Sequence, residues 1–257
     1  MKIAIATPMY NGTATVQYIN SLTLTLKVLT LAKIEWEYFT ESGDTFIDRA
    51  RNALCARFMN SDCTDLIFID ADMGWDIEGF YQLLQSPYGV TAGVGHFKNE
   101  DPDSWATVIK THEDRTPVCD AKHGLIEADF VGGAFLRIKK EIFSNILSKT
   151  NLEGQCYYNE KGEVIHNYFE CKIKNALRYG EDVVFCEKVR ESGEKIWIEP
   201  RINLIHVGQK EYIGNYHKYL IELKQKEDPR SIKEIIKDLN TLHTISKSSI
   251  AQLEKLV

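Results

Sequence analysis

Short apolar runs alternate along the chain with longer stretches in which apolar residues recur at helical spacing. The first run, Lys2–Ala6, ends at Thr7-Pro8 and predicts a buried strand. Residues 14–31 carry apolar side chains three or four positions apart, which predicts a helix. Residues 35–40 alternate in polarity and predict a second strand. The chain therefore opens as strand, helix and strand.

The same alternation continues to about residue 100. It predicts helices over 45–59 and 76–84, with Asp76 as the N-cap of the second, and strands over 65–69 and 89–94. Alternating strands and helices indicate an α/β fold with a mainly parallel sheet. Ligands of such sheets bind beyond the carboxyl ends of the strands. Asp70 and Asp72 fall at this edge, because they directly follow the strand at 65–69.

The second half of the chain is less regular. It predicts strands over 105–110, 124–130 and 196–198, helices over 139–147 and 183–191, and a surface loop or hairpin over 151–165. From residue 216 onwards the chain is rich in Lys, Glu, Ile and Leu, which predicts two terminal helices separated at Asp228-Pro229. We therefore expect one α/β domain over residues 1–215 and a helical extension over residues 216–257.

Composition and charge are those of an ordinary soluble protein. The 257 residues are 44% hydrophobic and 26% charged, with a net charge of -6 that does not favour general binding to nucleic acid. No stretch approaches the roughly 20 apolar residues of a membrane span, and the start lacks a signal-peptide pattern, so we expect a cytoplasmic protein. The six cysteines form no C-x-x-C pair, which indicates free thiols. A secreted, disulfide-bonded protein is the alternative.

Asp70-Ala71-Asp72 is the first candidate for chemistry. Two carboxylates at this spacing also occur in solvated turns, but these two follow a buried strand, where unpaired charges are costly. Alternate residues of an extended segment point the same way, so both side chains can address one site. Magnesium and manganese prefer oxygen ligands and are often held by one or two carboxylates together with phosphate oxygens. We therefore expect a divalent cation here.

Five further residues carry candidate side chains. Glu181-Asp182 opens a helix, where acids complement the helix dipole, and it could also supply a general base or bind an acceptor hydroxyl. His206 follows apolar residues and is either a hydrogen-bonded core residue or a metal ligand. Arg51 and Asn52 precede the Asp-bearing strand, either on a solvated helix face or facing a cleft, where Arg suits phosphate oxygens.

Gly132-Gly133 indicates a tight turn or a close approach of the backbone to a ligand. The sequence has no G-x-x-x-x-G-K-[ST] and no G-x-G-x-x-G segment, which argues against P-loop nucleotidases and dinucleotide-binding dehydrogenases. It also has no G-x-S-x-G and no H-E-x-x-H segment, the signatures of common hydrolases and zinc proteases.

Taken in order, these motifs resemble those of the GT-A nucleotide-sugar glycosyltransferases. Roughly residues 1–210 carry the resemblance, in the segments Thr7–Asn11, Arg49–Asn52, Leu66–Asp72 and Gly180–Phe185, followed by His206. The resemblance implies a GT-A fold, with a Rossmann-like sheet flanked by helices, and metal-dependent transfer of a sugar from a UDP- or GDP-sugar with Mn²⁺ or Mg²⁺. The chain lacks the Q-x-x-R-W segment of processive synthases, which favours transfer of a single sugar.

The resemblance also implies roles for individual residues. Asp72 would bind the metal directly, Asp70 would contact the metal or the ribose, and His206 would be the third ligand. Asp182 would be the base and Glu181 would assist acceptor binding, and this pair favours an inverting reaction. The residues expected to bind the nucleotide or the sugar are Thr7, Pro8, Tyr10, Arg51, Asn52, Asp70 and Gly133.

Two other classes of protein stay open. A sugar nucleotidyltransferase would also be α/β with acidic metal ligands, but it usually carries a basic, Gly-rich loop after the first strand, and residues 9–15 contain no basic side chain. A non-catalytic nucleotide- or carbohydrate-binding module would keep the fold without turnover. The acceptor is open as well: it is a glycan, a protein, a lipid head group or a modified nucleobase, and we expect residues 98–123 and 151–168 to shape its pocket.

Overall fold

The structure is a computed structural model that describes residues 1–150, 155–208 and 210–227. Its helices are α1 (Val16–Leu31), α2 (Ile47–Met59), α3 (Ile77–Gln85), α4 (Lys140–Lys149), α5 (Glu181–Glu191) and α6 (Tyr216–Glu227). Its strands are β1 (Lys2–Met9), β2 (Glu35–Ser42), β3 (Asp65–Ile69), β4 (Met73–Trp75), β5 (Val90–Ala92), β6 (Thr107–Ile109), β7 (Ile126–Val131), β8 (Phe135–Lys139), β9 (Cys156–Tyr158), β10 (Val164–His166), β11 (Lys172–Lys174), β12 (Leu177–Tyr179), β13 (Ile196–Ile198), β14 (Asn203–Val207) and β15 (Glu211–Asn215).

An eight-stranded sheet with the order β2-β1-β3-β8-β5-β13-β7-β6 forms the centre of the fold. β1 pairs in parallel with β2 and β3, and β5 with β13, whereas β7 and β8 are antiparallel to their neighbours. Six strands therefore run in one direction, and β7 and β8 run against them. This arrangement confirms the predicted α/β fold with a mainly parallel sheet.

Both faces of the sheet are covered, and this explains why its central strands are apolar throughout. Alternate residues of β1 enter two different cores: Ile3 and Ile5 pack with α1 and α3, while Ala4 and Ala6 pack with α2, α4 and α5. β3 divides in the same way and is buried along its whole length. Side chains of a strand alternate between faces, so one run of five residues serves both cores.

A second sheet of three strands, in the order β15-β14-β4, stands beside the first. The Asp70-Ala71-Asp72 turn connects the two sheets, because β3 ends at Ile69 and β4 begins at Met73. Three backbone hydrogen bonds hold the turn: Asp70 donates to Ala134 (3.1 Å), Thr15 donates to the Ala71 carbonyl (2.9 Å), and Val207 donates to the Asp72 carbonyl (2.8 Å). The central sheet, the start of α1 and the second sheet thus fix one three-residue segment.

Most predicted elements are present within one or two residues of their expected ends, and Asp76 caps α3 by accepting from the Gly79 amide. The region predicted as a loop or hairpin contains the hairpin β9–β10. The strands β4, β8 and β15 and the hairpin β11–β12 were not predicted. Helix α6 covers the start of the predicted helical extension. The expected helices beyond residue 227 lie outside the described residues. No described helix combines the length and apolar character of a membrane span.

Candidate active site

Arg51 lies at the centre of the polar residues at the carboxyl edge of β3. It projects from α2, and its side chain is only 3% exposed. Its Nη2 donates to both carboxylate oxygens of Asp70, at 3.0 and 3.3 Å. Its Nη1 donates to the Gly133 carbonyl at 3.1 Å, and its Nε donates to Glu181 at 3.4 Å. One guanidinium therefore joins the Asp70-Ala71-Asp72 turn, the glycine turn and the start of α5.

The surroundings of Arg51 keep it charged despite its burial. Burial alone disfavours the guanidinium, but Asp70, Glu181 and Asp182 oppose this effect and raise the pKa of Arg51 above its ordinary value. The rings of Phe68 and Phe169 lie 5.2 and 5.9 Å from its Cζ atom, within the range of cation–π contact.

Gly133 has a definite structural reason to be glycine. A Cβ atom placed there would lie 2.8 Å from Cζ of Arg51, closer than carbon atoms approach in folded proteins. The guanidinium therefore packs flat against the Gly133 backbone. The sequence predicted a close approach of the backbone to a ligand at this position, whereas the group that approaches it in the described chain is the side chain of Arg51.

Asp72 stands in a different environment from Asp70. One carboxylate oxygen, Oδ2, accepts a hydrogen bond from the ammonium group of Lys98. The other, Oδ1, is buried and has no hydrogen-bond partner. Burying a charged oxygen without a partner is unfavourable, so this atom marks a place where a cation would be accommodated.

His206 faces that oxygen from the neighbouring strand. Its Nδ1 lies 2.8 Å from the His96 carbonyl, and since a carbonyl can only accept, Nδ1 carries a proton and donates. The neutral ring then keeps its lone pair on Nε2, which lies 3.6 Å from Asp72 Oδ1. A histidine fixed through one nitrogen and open at the other has the usual arrangement of a metal ligand.

The donor atoms in this corner fit a divalent cation. A carboxylate oxygen and an imidazole nitrogen 3.6 Å apart can both touch a single ion roughly 2 Å from each. Of the three predicted metal ligands, Asp72 and His206 lie together, whereas both oxygens of Asp70 are engaged by Arg51. Each oxygen of Asp70 keeps a second lone pair, and the predicted role of Asp70 at the metal stays a prediction.

Glu181 and Asp182 begin α5 on the other side of Arg51. Partial burial, together with the negative charge of Glu181, raises the pKa of Asp182 to about 6, although Arg51 acts in the opposite direction. At neutral pH Asp182 is therefore mainly ionised, with a proton affinity well above that of an ordinary aspartate. This is the property that a general base needs.

The predicted nucleotide-binding segment divides into buried and exposed parts. Thr7 is buried, and its hydroxyl is hydrogen-bonded to the hydroxyl of Tyr18, which in turn lies 3.1 Å from the hydroxyl of Tyr38. Pro8 is buried in β1. Tyr10 lies beyond the strand and is 64% exposed, so of these residues it has the side chain most available to a ligand.

Asn52 is buried and fully engaged within the protein. Its Nδ2 donates to the Phe169 carbonyl (2.8 Å) and to Asn167 (3.0 Å), and its Oδ1 accepts from the Phe169 amide (2.8 Å). Asn52 therefore fixes the segment that places Phe169 beside Arg51. The sequence prediction gave it a direct contact with the donor, whereas its amide pairs with backbone in the described chain.

Two residues of this region were missed by the sequence reasoning. Lys98 and His96 lie in an irregular segment, where no periodicity indicates which side chains turn inward. A basic residue soon after the strand β5 was the available signal for Lys98, since strand ends in such folds meet at the ligand edge. His96 acts through its carbonyl, for which no sequence signal exists.

A second acidic cluster lies near the amino ends of β1 and β3, at the opposite end of these strands from the residues above. Glu37, Asp62 and Cys63 bring three possible ligand atoms together, and they form the one cluster of three that the described part of the chain contains. The ammonium group of Lys2 is paired with both carboxylates, at 2.6 Å from Glu37. One ammonium group thus compensates one of their two negative charges.

Comparisons with known proteins return similarities of structure. No family model and no curated protein matches the chain. Among solved structures, it is similar to the catalytic domain of Drosophila beta1,4-galactosyltransferase 7 in complex with xylobiose, with 16% identity, a TM-score of 0.40, and coverage of 77% of this chain and 64% of that one. It is similar to GalNAc-T7 with UDP, GalNAc and Mn²⁺ (13% identity, TM-score 0.47, 81% of this chain and 44% of that one). It is also similar to the inositol-1-phosphate CTP transferase from T. maritima, with 10% identity, a TM-score of 0.38, and coverage of 77% of this chain and 84% of that one.

Proposed function

We propose that the protein transfers a single sugar from a UDP- or GDP-sugar to an acceptor hydroxyl, with Mn²⁺ or Mg²⁺ held by Asp72 and His206. The observation that carries the proposal is the buried Asp72 Oδ1, which has no hydrogen-bond partner and lies 3.6 Å from the open nitrogen of His206. A cation bound there would stabilise the negative charge of a departing diphosphate.

The remaining residues supply the other parts of the reaction. The acceptor oxygen attacks the anomeric carbon while the bond between that carbon and the diphosphate oxygen breaks, and the bonding electrons leave with the diphosphate. Asp182 takes the proton of the acceptor hydroxyl, which its pKa of about 6 suits. This assignment favours inversion at the anomeric carbon. Glu181 assists acceptor binding while Arg51 holds it in place.

Donor binding is assigned to the edge formed by β1 and the metal-binding turn. Tyr10 is exposed there and offers a ring on which a nucleobase can stack. Arg51 is buried and paired with three acidic or carbonyl partners, so in this proposal it positions Asp70 and Glu181 instead of gripping phosphate. The acceptor and a cytoplasmic location stay predictions from the sequence.

The direct test is calorimetric titration with UDP and with GDP, each with and without Mn²⁺, followed by an assay of sugar transfer from UDP- and GDP-sugars. We expect one nucleotide to bind in a manganese-dependent way, and the matching nucleotide-sugar to release nucleoside diphosphate. Binding that EDTA leaves unchanged would contradict the metal site. Release of pyrophosphate from a nucleoside triphosphate and a sugar phosphate would instead identify a nucleotidyltransferase.

A further inference from the structure

The ammonium group of Lys98 contacts Asp72 Oδ2, the second oxygen of the proposed metal ligand. The pair is not sealed in the interior, since the Lys98 side chain is 36% exposed and that of Asp72 is 35% exposed. Exposed ion pairs of this kind are worth only about 0.2–1 kcal/mol. The contact is therefore weak enough to be exchanged for a stronger one.

The segment that carries Lys98 has a fixed base and an exposed end. The Ala106 amide donates to the Gly95 carbonyl (3.1 Å), the Phe97 amide donates to the Ser104 carbonyl (3.0 Å), and His96 forms an antiparallel bridge with Trp105. The same segment supplies the His96 carbonyl that orients His206. One loop thus places a lysine and a histidine-orienting carbonyl on the two sides of Asp72.

The stem of Lys98 runs alongside Gly208, just after the strand that carries His206. A Cβ atom at Gly208 would lie 3.1 Å from Cδ and 3.6 Å from Cγ of Lys98. The absence of a side chain at Gly208 leaves room for this path, which leads the ammonium group to Asp72. The flexible four-carbon stem allows the charged end to move while the backbone stays in place.

Charge balance indicates what Lys98 does when the cation is bound. Without a metal, one ammonium neutralises one carboxylate. A divalent cation at Asp72 together with a doubly charged diphosphate leaves a single net negative charge, and Lys98 would balance it. An ammonium group is a strong point-charge ligand for phosphate, and the diphosphate oxygens would share the cation with Asp72.

We propose that Lys98 is the resident counter-ion of Asp72 in the metal-free protein and that its ammonium group passes to the donor diphosphate when the divalent cation binds. This inference rests on the proposed function, since it assumes a nucleoside diphosphate at the metal. Lys98 then has two opposite effects. It weakens binding of the cation when no nucleotide is present, and it strengthens binding of the cation together with the nucleotide.

The test is Lys98→Met, which keeps the length of the side chain and removes its charge. The matched control is Lys210→Met, because Lys210 is an exposed lysine of the same region that pairs with Glu100 instead of Asp72. Titration of each protein with Mn²⁺ alone should show about two- to fivefold tighter binding to Lys98→Met, as expected for loss of a competing exposed ion pair. Titration with UDP and GDP at saturating Mn²⁺ should show that the nucleotide binds Lys98→Met at least roughly tenfold more weakly than the wild type. The control should match the wild type in both.

Each outcome decides between the ideas. Manganese and nucleotide affinities of Lys98→Met that equal those of the control would overturn the role of Lys98 while leaving the proposed function intact. Tighter manganese binding with unchanged nucleotide binding would overturn the transfer to the diphosphate. A wild-type protein that binds neither manganese nor nucleotide would refute the proposed function and this inference together. Circular dichroism of each variant confirms that the fold is retained.

Discussion

At the scale of single residues, Asp70 and Asp72 show how two identical side chains acquire different roles from their neighbours. Asp70 is bound on both oxygens by Arg51, whereas Asp72 keeps one buried oxygen without a hydrogen-bond partner. Spacing places both on one turn, but their partners lie outside it: Arg51 of α2 for Asp70, and Lys98 of an irregular segment for Asp72. The sequence predicted the turn, and the structure distinguishes its two acids.

Asp72→Asn tests this distinction. Replacing one carboxylate oxygen with an amide keeps the shape and removes the charge, so we expect manganese binding to be lost and sugar transfer to fall by more than about a hundredfold. Calorimetry and a transfer assay measure the two effects. Asp62→Asn, at an exposed carboxylate paired with Lys2, is the control and should retain both. Full manganese affinity in Asp72→Asn would exclude Asp72 as a ligand.

The pH dependence of the reaction tests Asp182. The ionised form acts as the base, so kcat/KM should rise with pH through about 6 and level off above it. The charge of Glu181 contributes to the raised pKa, and Glu181→Gln should therefore move this limb to lower pH. A profile that is flat between pH 5 and 8, where the limb is expected, would contradict the assignment.

The same raised pKa has a consequence for stability. The folded state holds the Asp182 proton more tightly than the unfolded chain does, so this group stabilises the fold at low pH and loses that contribution as the pH rises through about 6. Asp182→Asn should therefore raise the free energy of unfolding at pH 8 by up to roughly 3 kcal/mol, and by less at pH 5. Urea unfolding at the two pH values measures the difference. An equal effect at both would show that the pKa is not raised.

At the scale of elements, α2 is a helix whose sequence does not reveal which of its polar residues are buried. Arg51 and Asn52 look like polar residues of a solvated helix face, yet they are 2% and 1% exposed. The pattern could not reveal this, because the parts of the chain that cover them lie 80 or more residues away. These parts are the glycine turn before β8, the segment 167–169 and the start of α5. Local periodicity predicted the helix, and long-range packing determined what its polar side chains do.

Asn52→Ala separates a structural role from donor binding. The change leaves the Phe169 amide and carbonyl without partners, so we expect the free energy of unfolding to fall by roughly 2–3 kcal/mol. Manganese affinity should be unchanged, since Asn52 touches neither Asp72 nor His206. Arg49→Ala, on the exposed side of the same helix, should be nearly neutral. Weaker nucleotide binding by a variant of unchanged stability would support the predicted contact of Asn52 with the sugar donor.

At the scale of the whole molecule, the site depends on two sheets that meet at one turn. The strand–helix alternation predicted a mainly parallel sheet and the edge at which the acids lie, but not the antiparallel strand β8 at its centre. The second sheet could not be predicted in the same way, because β4 is only three residues long and pairs with β14 across a long sequence separation. His206 was found by its position after apolar residues, and its orientation depends on this unpredicted sheet.

Gly214→Ala probes how far the second sheet supports the site. A Cβ atom at Gly214 would lie 2.7 Å from the Trp105 ring and 3.3 Å from Cβ of His96, whose carbonyl orients His206. We expect manganese binding to weaken by about tenfold, although Gly214 touches no ligand atom. Ile213→Ala, at the adjacent and 73% exposed position, is the control. Equal affinities in the two variants would show that this packing does not reach the metal.

Because β14 pairs with β4, a cation bound between Asp72 and His206 would also change the stability of the fold. Asp72 and His206 are distant in sequence, so an ion that ligates both is a removable crosslink between two remote parts of the polypeptide. Such a crosslink exists only in the native state, and mass action then adds about 2.7 kcal/mol of stability when the free ion is at a hundred times its dissociation constant. The melting temperature would then rise with the fraction of protein that holds the ion, and a chelator that removes the ion would lower it.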